Sequence, residues 1–110
     1  MRIIEGKLLF AEMVKAAEIV LRTSHPEAHI FADGAFRKLS EVLVEIQTKW
    51  ASGRITEDHA RALLRIARNT STSVLLAVSG ITLPVAEQAM DAALNAVKIP
   101  INDVLRWDLI

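Results

Sequence analysis

The stretch RNTSTSVLLAVSGITLPVAE, residues 68–87, decides how the chain folds. Its two ends are charged, but residues 69–86 between them carry no charge, although 24% of the whole chain is charged. A membrane-spanning helix needs about 20 predominantly apolar residues. This run contains seven Asn, Thr or Ser residues, is punctuated by Gly80 and Pro84, and is continuously apolar only from Val74 to Val78. We therefore predict the end of one helix, a tight turn and the start of another, all packed in the interior.

The composition of the whole chain favours helices. Of its 110 residues 52% are apolar and 5% aromatic, and only four Gly and three Pro are available for turns. A chain of this length forms one domain with a modest core. We predict an all-α fold, an antiparallel bundle of four main helices with a short C-terminal helix, in a single domain over residues 1–110.

Local signals predict the starts and ends of these helices. Ser24 and Glu27 form a capping box around Pro26 and predict the start of the second helix. Asp33-Gly34 leaves open whether residues 25–52 form one helix or two. Gly53 then predicts a C-terminal cap, and Thr56 an N-cap.

Further signals follow the same logic in the second half of the chain. The third helix is predicted to end at Ser79-Gly80, and the fourth to begin at Thr82 to Pro84. The segment KIPIND, 98–103, is predicted to stop the fourth helix. Asn102 or Asp103 then caps a short last helix, whose apolar residues form a docking tail.

The first, third and fourth helices are apolar around more of their circumference than one seam requires. Within a single chain of this size, each helix can hide only one such seam, so a second copy is expected to cover the remainder. We predict self-association, with a dimer as the first guess because closed dimers are the commonest oligomers. The residues predicted for interface or tail-anchor roles are Leu8, Phe10, Leu75, Val78, Trp107, Leu109 and Ile110.

A basic stripe lies on the predicted third helix. Arg61, Arg65 and Arg68 recur at helical spacing and are candidates for contact with an anion or an acidic partner. However, the chain has thirteen basic and thirteen acidic residues, so it lacks the net positive field of nucleic-acid-binding proteins. We predict no nucleic-acid binding, and instead expect the stripe to be solvated or paired with Glu87 and Asp91.

Two histidines are weak candidates for metal binding. His25 and His29 are four residues apart, which places both imidazoles on one side of a helical turn. Structural zinc takes four protein ligands, and the nearby sequence supplies no third. We therefore predict no metal site and no cofactor.

Catalytic motifs are missing from the sequence. It contains no Cys, no Gly-x-Ser-x-Gly elbow and no Gly-rich phosphate loop. We predict a cytoplasmic structural or protein-interaction module that is not an enzyme and has no membrane span. Two alternatives stay open: a membrane-active protein that inserts its third and fourth helices as a hairpin, and a metal- or ligand-binding bundle.

Overall fold

A computed structural model describes the backbone of residues 2–24, 29–77 and 81–110, and the side chains of the same residues except 23, 24 and 29–32. Over this part of the chain the fold is all-helical, as predicted. The helices are α1 (Gly6–Ser24), α2 (His29–Ala51), α3 (Glu57–Leu76) and α4 (Leu83–Leu105).

The four helices form an antiparallel bundle in which successive helices run in opposite directions. Ile4, just before α1, is hydrogen-bonded to Gln47 near the end of α2. Arg61 in the first turns of α3 lies over Trp107, which follows α4. The start of α1, the end of α2, the start of α3 and the end of α4 therefore meet at one end of the bundle. We call this the Trp end, because both tryptophans lie there.

Each helix contributes one buried stripe to a shared core. The α1 stripe has a spacing of four residues, which keeps its members on one side of a helix. The other helices bury stripes with spacings of three and four. The buried apolar residues are Leu9, Met13, Ala17 and Leu21 of α1; Ala35, Phe36, Leu39, Leu43 and Ile46 of α2; Ala60, Leu64, Ala67 and Leu75 of α3; and Ala86, Ala89, Met90, Ala93, Leu94, Val97, Ile101 and Leu105 of α4.

The predicted start of α3 is confirmed. Thr56 has extended backbone angles, and its hydroxyl accepts a hydrogen bond from the backbone N–H of His59. Gly53, after α2, has φ of 69°, the left-handed conformation that glycine adopts without steric cost. Ser24, which was predicted to cap the start of α2, is instead the last residue of α1. Glu27 and Pro26 lie outside the described residues, as does the predicted α3 stop at Ser79-Gly80.

The Asp33-Gly34 pair does not divide α2, which is one helix from His29 to Ala51. A glycine inside a helix costs about 1 kcal/mol relative to alanine. Phe36 and Leu39 are fully buried just beyond it. Burial of one such side chain contributes about 1.5–3 kcal/mol, so packing outweighs the glycine.

Our prediction that α4 stops at KIPIND, with a separate short helix after it, was wrong. α4 runs through Pro100 to Leu105, and Asn102 lies within the helix. Proline inside a helix costs about 3 kcal/mol. Continuing the helix buries Ile101 and Leu105 completely, and two such side chains together contribute about 3–6 kcal/mol. Burial therefore offsets the proline.

The prediction that the uncharged run 69–86 is packed inside was also wrong. A helix end and a helix start do lie there, since α3 ends at Leu76 and α4 begins at Leu83. Most of the described side chains in the run are nevertheless exposed. The buried ones are Ser71, Leu75, Ile81 and Ala86.

Candidate interaction surfaces

The second half of α3 presents an exposed surface without charge. We call it the uncharged α3 face and define it as Ile66, Asn69, Thr70, Ser73, Val74 and Ala77, all of them exposed. These residues follow each other at spacings of one, three and four, so they share one side of the helix. Leu75, on the opposite side, is fully buried. The helix is therefore held by its buried stripe while this face is left open.

Large aliphatic side chains stand on and beside this face. Ile66 is 61% exposed and Val74 40%, and near the α3–α4 connection Leu76 and Leu83 are 39% and 50% exposed. Single exposed apolar side chains are normal on a protein surface. Here the exposed aliphatic side chains lie in or near a stretch of nine consecutive residues, 69–77, that carries no charge. Val74 belongs to the run that was predicted to be packed in the interior, whereas Ile66, which precedes that run, was not singled out from the sequence.

The basic stripe in the first half of α3 is largely paired. Arg61 Nη1 lies 3.7 Å from a Glu57 carboxylate oxygen, and Arg68 Nη2 lies 2.6 Å from Asp91 Oδ1 of α4. The expected pairing with Asp91 is thus present. Arg65 is exposed and forms no ion pair with any residue in the described part of the chain. Whether the stripe binds an anion or an acidic partner stays a prediction.

The Trp end brings together aromatic and cationic side chains from three elements. The rings of Trp50 and Trp107 have centroids 5.3 Å apart and are tilted by 55°. The Arg61 guanidinium lies 5.0 Å from the centre of the Trp107 ring. Such cation–π contacts stabilise by about 0.5–1 kcal/mol at exposed sites. The indole N–H of Trp107 is buried and has no hydrogen-bond acceptor among the described residues.

Residues 107–110, which we call the WDLI segment, fold back onto the end of α4. The reversal occurs at Arg106, whose φ of 68° is left-handed. The Asn102 side chain then holds the segment through three hydrogen bonds: its Oδ1 accepts from the backbone N–H of Leu109 at 2.9 Å and of Ile110 at 3.1 Å, and its Nδ2 donates to the Ile110 carbonyl at 3.2 Å. Leu109 is buried as a result.

A second amide holds the other terminal segment at the same end. Gln47 is fully buried, and its Oε1 accepts from the backbone N–H of Ile4 at 2.8 Å. Its Nε2 lies 3.3 Å from the carbonyls of both Ile4 and Leu43. A buried amide must find such partners, because an unpaired polar group costs about 1–3 kcal/mol.

The residues predicted for interface and anchor roles lie in different environments. Leu8 is 57% exposed, whereas Leu75 is fully buried and belongs to the core. Phe10 is partly buried, with the Arg37 guanidinium 5.6 Å from its ring centre. Trp107, Leu109 and Ile110 contact the Trp end, and Val78 lies outside the described residues. An interface role stays a prediction for the residues other than Leu75, which has no exposed surface.

The remaining sequence hypotheses concern metals and membranes. His25 and the side chain of His29 lie outside the described residues. Among the side chains that are described, no three His, Asp or Glu are grouped so that they could hold a metal ion. No helix within the described ranges combines the length and the apolar character needed to cross a membrane.

Among the described side chains, one titratable group, Glu45, has a clearly shifted pKa. The pKa of Glu45 on α2 is lowered because Lys49 donates a hydrogen bond to its carboxylate and adds a positive charge nearby, with smaller contributions from Lys38 and His59. The distance from Lys49 Nζ to Glu45 Oε1 is 2.8 Å. Both side chains are substantially exposed, so this is an ordinary surface ion pair one helical turn apart.

Comparison of the chain with protein-family models, with curated proteins and with solved structures gave no match.

Proposed function

We propose that the protein is a self-associating structural or interaction module, and that a second copy covers the uncharged α3 face. The observation that carries this proposal is the contrast across one helix, with a fully buried Leu75 on one side and exposed Ile66 and Val74 on the other. A second copy is a better occupant than an acidic or basic partner, because the face offers no charge to complement one.

The chemistry of the face suits a symmetric contact. In a two-fold dimer the same patch meets itself, so a charge close to the two-fold axis would approach an identical charge. The uncharged α3 face avoids that repulsion. Its Thr70, Ser73 and Ala77 are small and allow two helix backbones to approach closely, while Ile66 and Val74 supply apolar area.

The paired charges support the same assignment of surfaces. Arg61 and Arg68 already have acidic partners within the chain, which weakens the case for an anion at the first half of α3. Desolvating these ion pairs in an interface would be unfavourable. The exposed, uncharged second half carries no such cost, so association is proposed there.

The test is the molecular mass in solution of three variants at micromolar concentration, by light scattering and sedimentation. Val74→Glu places an unpaired carboxylate of each copy in the proposed apolar interface, where its desolvation is unfavourable, and is expected to shift a dimer to the monomer. The matched control is Ile99→Glu, which puts the same charge at a side chain that is 72% exposed on α4 and should leave the dimer intact. Leu8→Glu reports on the interface predicted for α1. A wild-type monomer would contradict the proposal, and so would a dimer that only Leu8→Glu dissociates.

A further inference from the structure

We propose that the WDLI segment is exchangeable between copies: in a second association mode, residues 107–110 of one chain occupy the Asn102 groove of another. This mode uses the Trp end and is independent of the uncharged α3 face. The groove is the surface formed by Asn102, Trp50 and Arg61. Within one chain the WDLI segment occupies this groove, which shows that a segment of this sequence fits it.

The groove recognises the segment through contacts that do not depend on chain connectivity. Asn102 binds the backbone N–H groups of Leu109 and Ile110 and the Ile110 carbonyl, while Trp50 and Arg61 contact the Trp107 ring. An identical segment from a second copy can form every one of these contacts. Exchange of an identical element is therefore a low-cost route to a dimer.

The hinge supplies the driving force for exchange. Arg106 is the residue with left-handed backbone angles between α4 and the segment, and it is not glycine. Left-handed backbone is unfavourable for a residue with a side chain, because Cβ approaches the following carbonyl oxygen. If Arg106 instead continues α4 as a helical residue, the strain is relieved and the segment points away from its own groove. Short hinges under strain are the known condition for exchange.

The docked segment is also held incompletely. Within the described part of the chain the buried indole N–H of Trp107 finds no acceptor, so docking forfeits the hydrogen bond that this group makes with water. Transient release of the segment recovers that bond. Release is the step that exchange requires, and the four-residue length of the segment limits the contacts that oppose it.

The two tryptophans allow exchange to be observed directly. Trp50→Phe and Trp107→Phe are purified separately, so neither variant contains a tryptophan pair. After mixing, a Trp50–Trp107 pair forms only where the segment of one chain occupies the groove of the other. Such a tilted pair at 5.3 Å gives an exciton-coupled circular dichroism signal, for which the wild-type protein is the positive control. The chain has no Tyr to add a background.

We expect the coupled signal to appear in the mixture with time and to increase with protein concentration. Mixing Trp107→Phe with a Trp50→Phe variant that also lacks residues 107–110 should give no coupled signal. Lack of the signal at high concentration overturns the proposal. Dimers through the uncharged α3 face alone produce hybrids in sedimentation without this signal, so failure of exchange and failure of the proposed function are separate outcomes.

Hinge variants provide a second measurement in which all groove contacts are kept. Arg106→Gly removes the strain in the monomer, so exchange no longer relieves it. The lower end of the cost of left-handed backbone corresponds to about fivefold per hinge, so the dissociation constant of the exchanged dimer, which has two hinges, should rise roughly 25-fold. Arg106→Val disfavours the left-handed conformation further and should therefore lower the dissociation constant of the exchanged dimer. Equal dissociation constants in the two variants would overturn the proposed role of Arg106.

Discussion

The two halves of α3 use the same buried stripe but present opposite surfaces to the outside. From Glu57 to Arg68 the helix carries charged side chains, and two of its arginines are paired, Arg61 with Glu57 and Arg68 with Asp91. In the second half, the outer side carries no charge from Asn69 to Ala77 and exposes Val74. Burial alone therefore does not distinguish a solvated surface from a candidate interface, whereas the chemistry of the exposed side does.

The largest expected effect is a difference in the free energy of unfolding between substitutions on the buried side and on the exposed side of α3 in its second half. Leu75→Ala removes a fully buried side chain and should lower the free energy of unfolding by about 2–5 kcal/mol. Val74→Ala, its neighbour in sequence, should change it by less than about 0.5 kcal/mol in dilute monomer, since surface substitutions rarely do more. Urea denaturation at low protein concentration measures both. Similar losses would mean that the helix has no distinct inner and outer side here.

The next effect concerns how the first half of α3 begins. Thr56→Ala removes the hydroxyl that accepts from His59 N–H, and it should cost about 1 kcal/mol of stability. Thr82→Ala at the start of α4 is the matched control, because Thr82 makes no side-chain capping hydrogen bond. Thermal unfolding followed by circular dichroism should show a clearly lower melting temperature only for Thr56→Ala. An equal decrease for both would contradict a specific capping role.

A smaller effect probes the pairing of charges in the first half. A double-mutant cycle with Arg68→Ala and Asp91→Ala should give a coupling free energy of about 0.2–1 kcal/mol, as is usual for exposed ion pairs. The coupling should fall as the salt concentration rises, because ions screen exposed charges. Arg65→Ala, which removes an exposed arginine without a described ion pair, should show no coupling to Asp91→Ala. Coupling that is insensitive to salt would contradict a purely electrostatic contact.

The smallest effect lies outside α3 and depends on pH. The pKa of Glu45 is lower in the folded protein than its ordinary value, so its contribution to stability is present above that value and is lost as pH falls through the folded pKa. Glu45→Gln should cost about 0.3–0.5 kcal/mol at neutral pH, and the difference from wild type should vanish in acid. Denaturation at several pH values checks this, with Glu41→Gln, which has no resolved ion pair in the described residues, as the control.

Comparison of prediction and structure shows where local reasoning succeeded. The N-cap at Thr56, the glycine cap at Gly53 and the start of α4 at Thr82 were predicted, because such signals involve hydrogen bonds and backbone angles within a few residues. The pairing of Arg68 with Asp91 was one of the two outcomes expected for the basic stripe. The uncharged α3 face was not, because absence of charge was taken to mean burial.

The errors share one cause. The predicted stop at KIPIND followed the intrinsic cost of Pro100, and the predicted burial of 69–86 followed its apolar and uncharged composition. In both cases the outcome depended on which neighbouring helix was available to pack against. Ile101 and Leu105 found such neighbours, whereas Val74 and Leu76 are exposed. The binding of Leu109 and Ile110 by Asn102 had no sequence signal either, since it requires a chain reversal at a residue other than glycine.

The sequence by itself determined that the chain is helical, where three of its described helix starts and ends lie, and that one stripe of each helix is apolar enough to be buried. These properties are encoded within one or two helical turns. Only the tertiary structure decided which side of the uncharged run faces outward, that α4 continues past Pro100, and that Asn102 holds the WDLI segment. Burial is a property of pairs of helices, because a side chain is removed from water only where a neighbour supplies the covering surface.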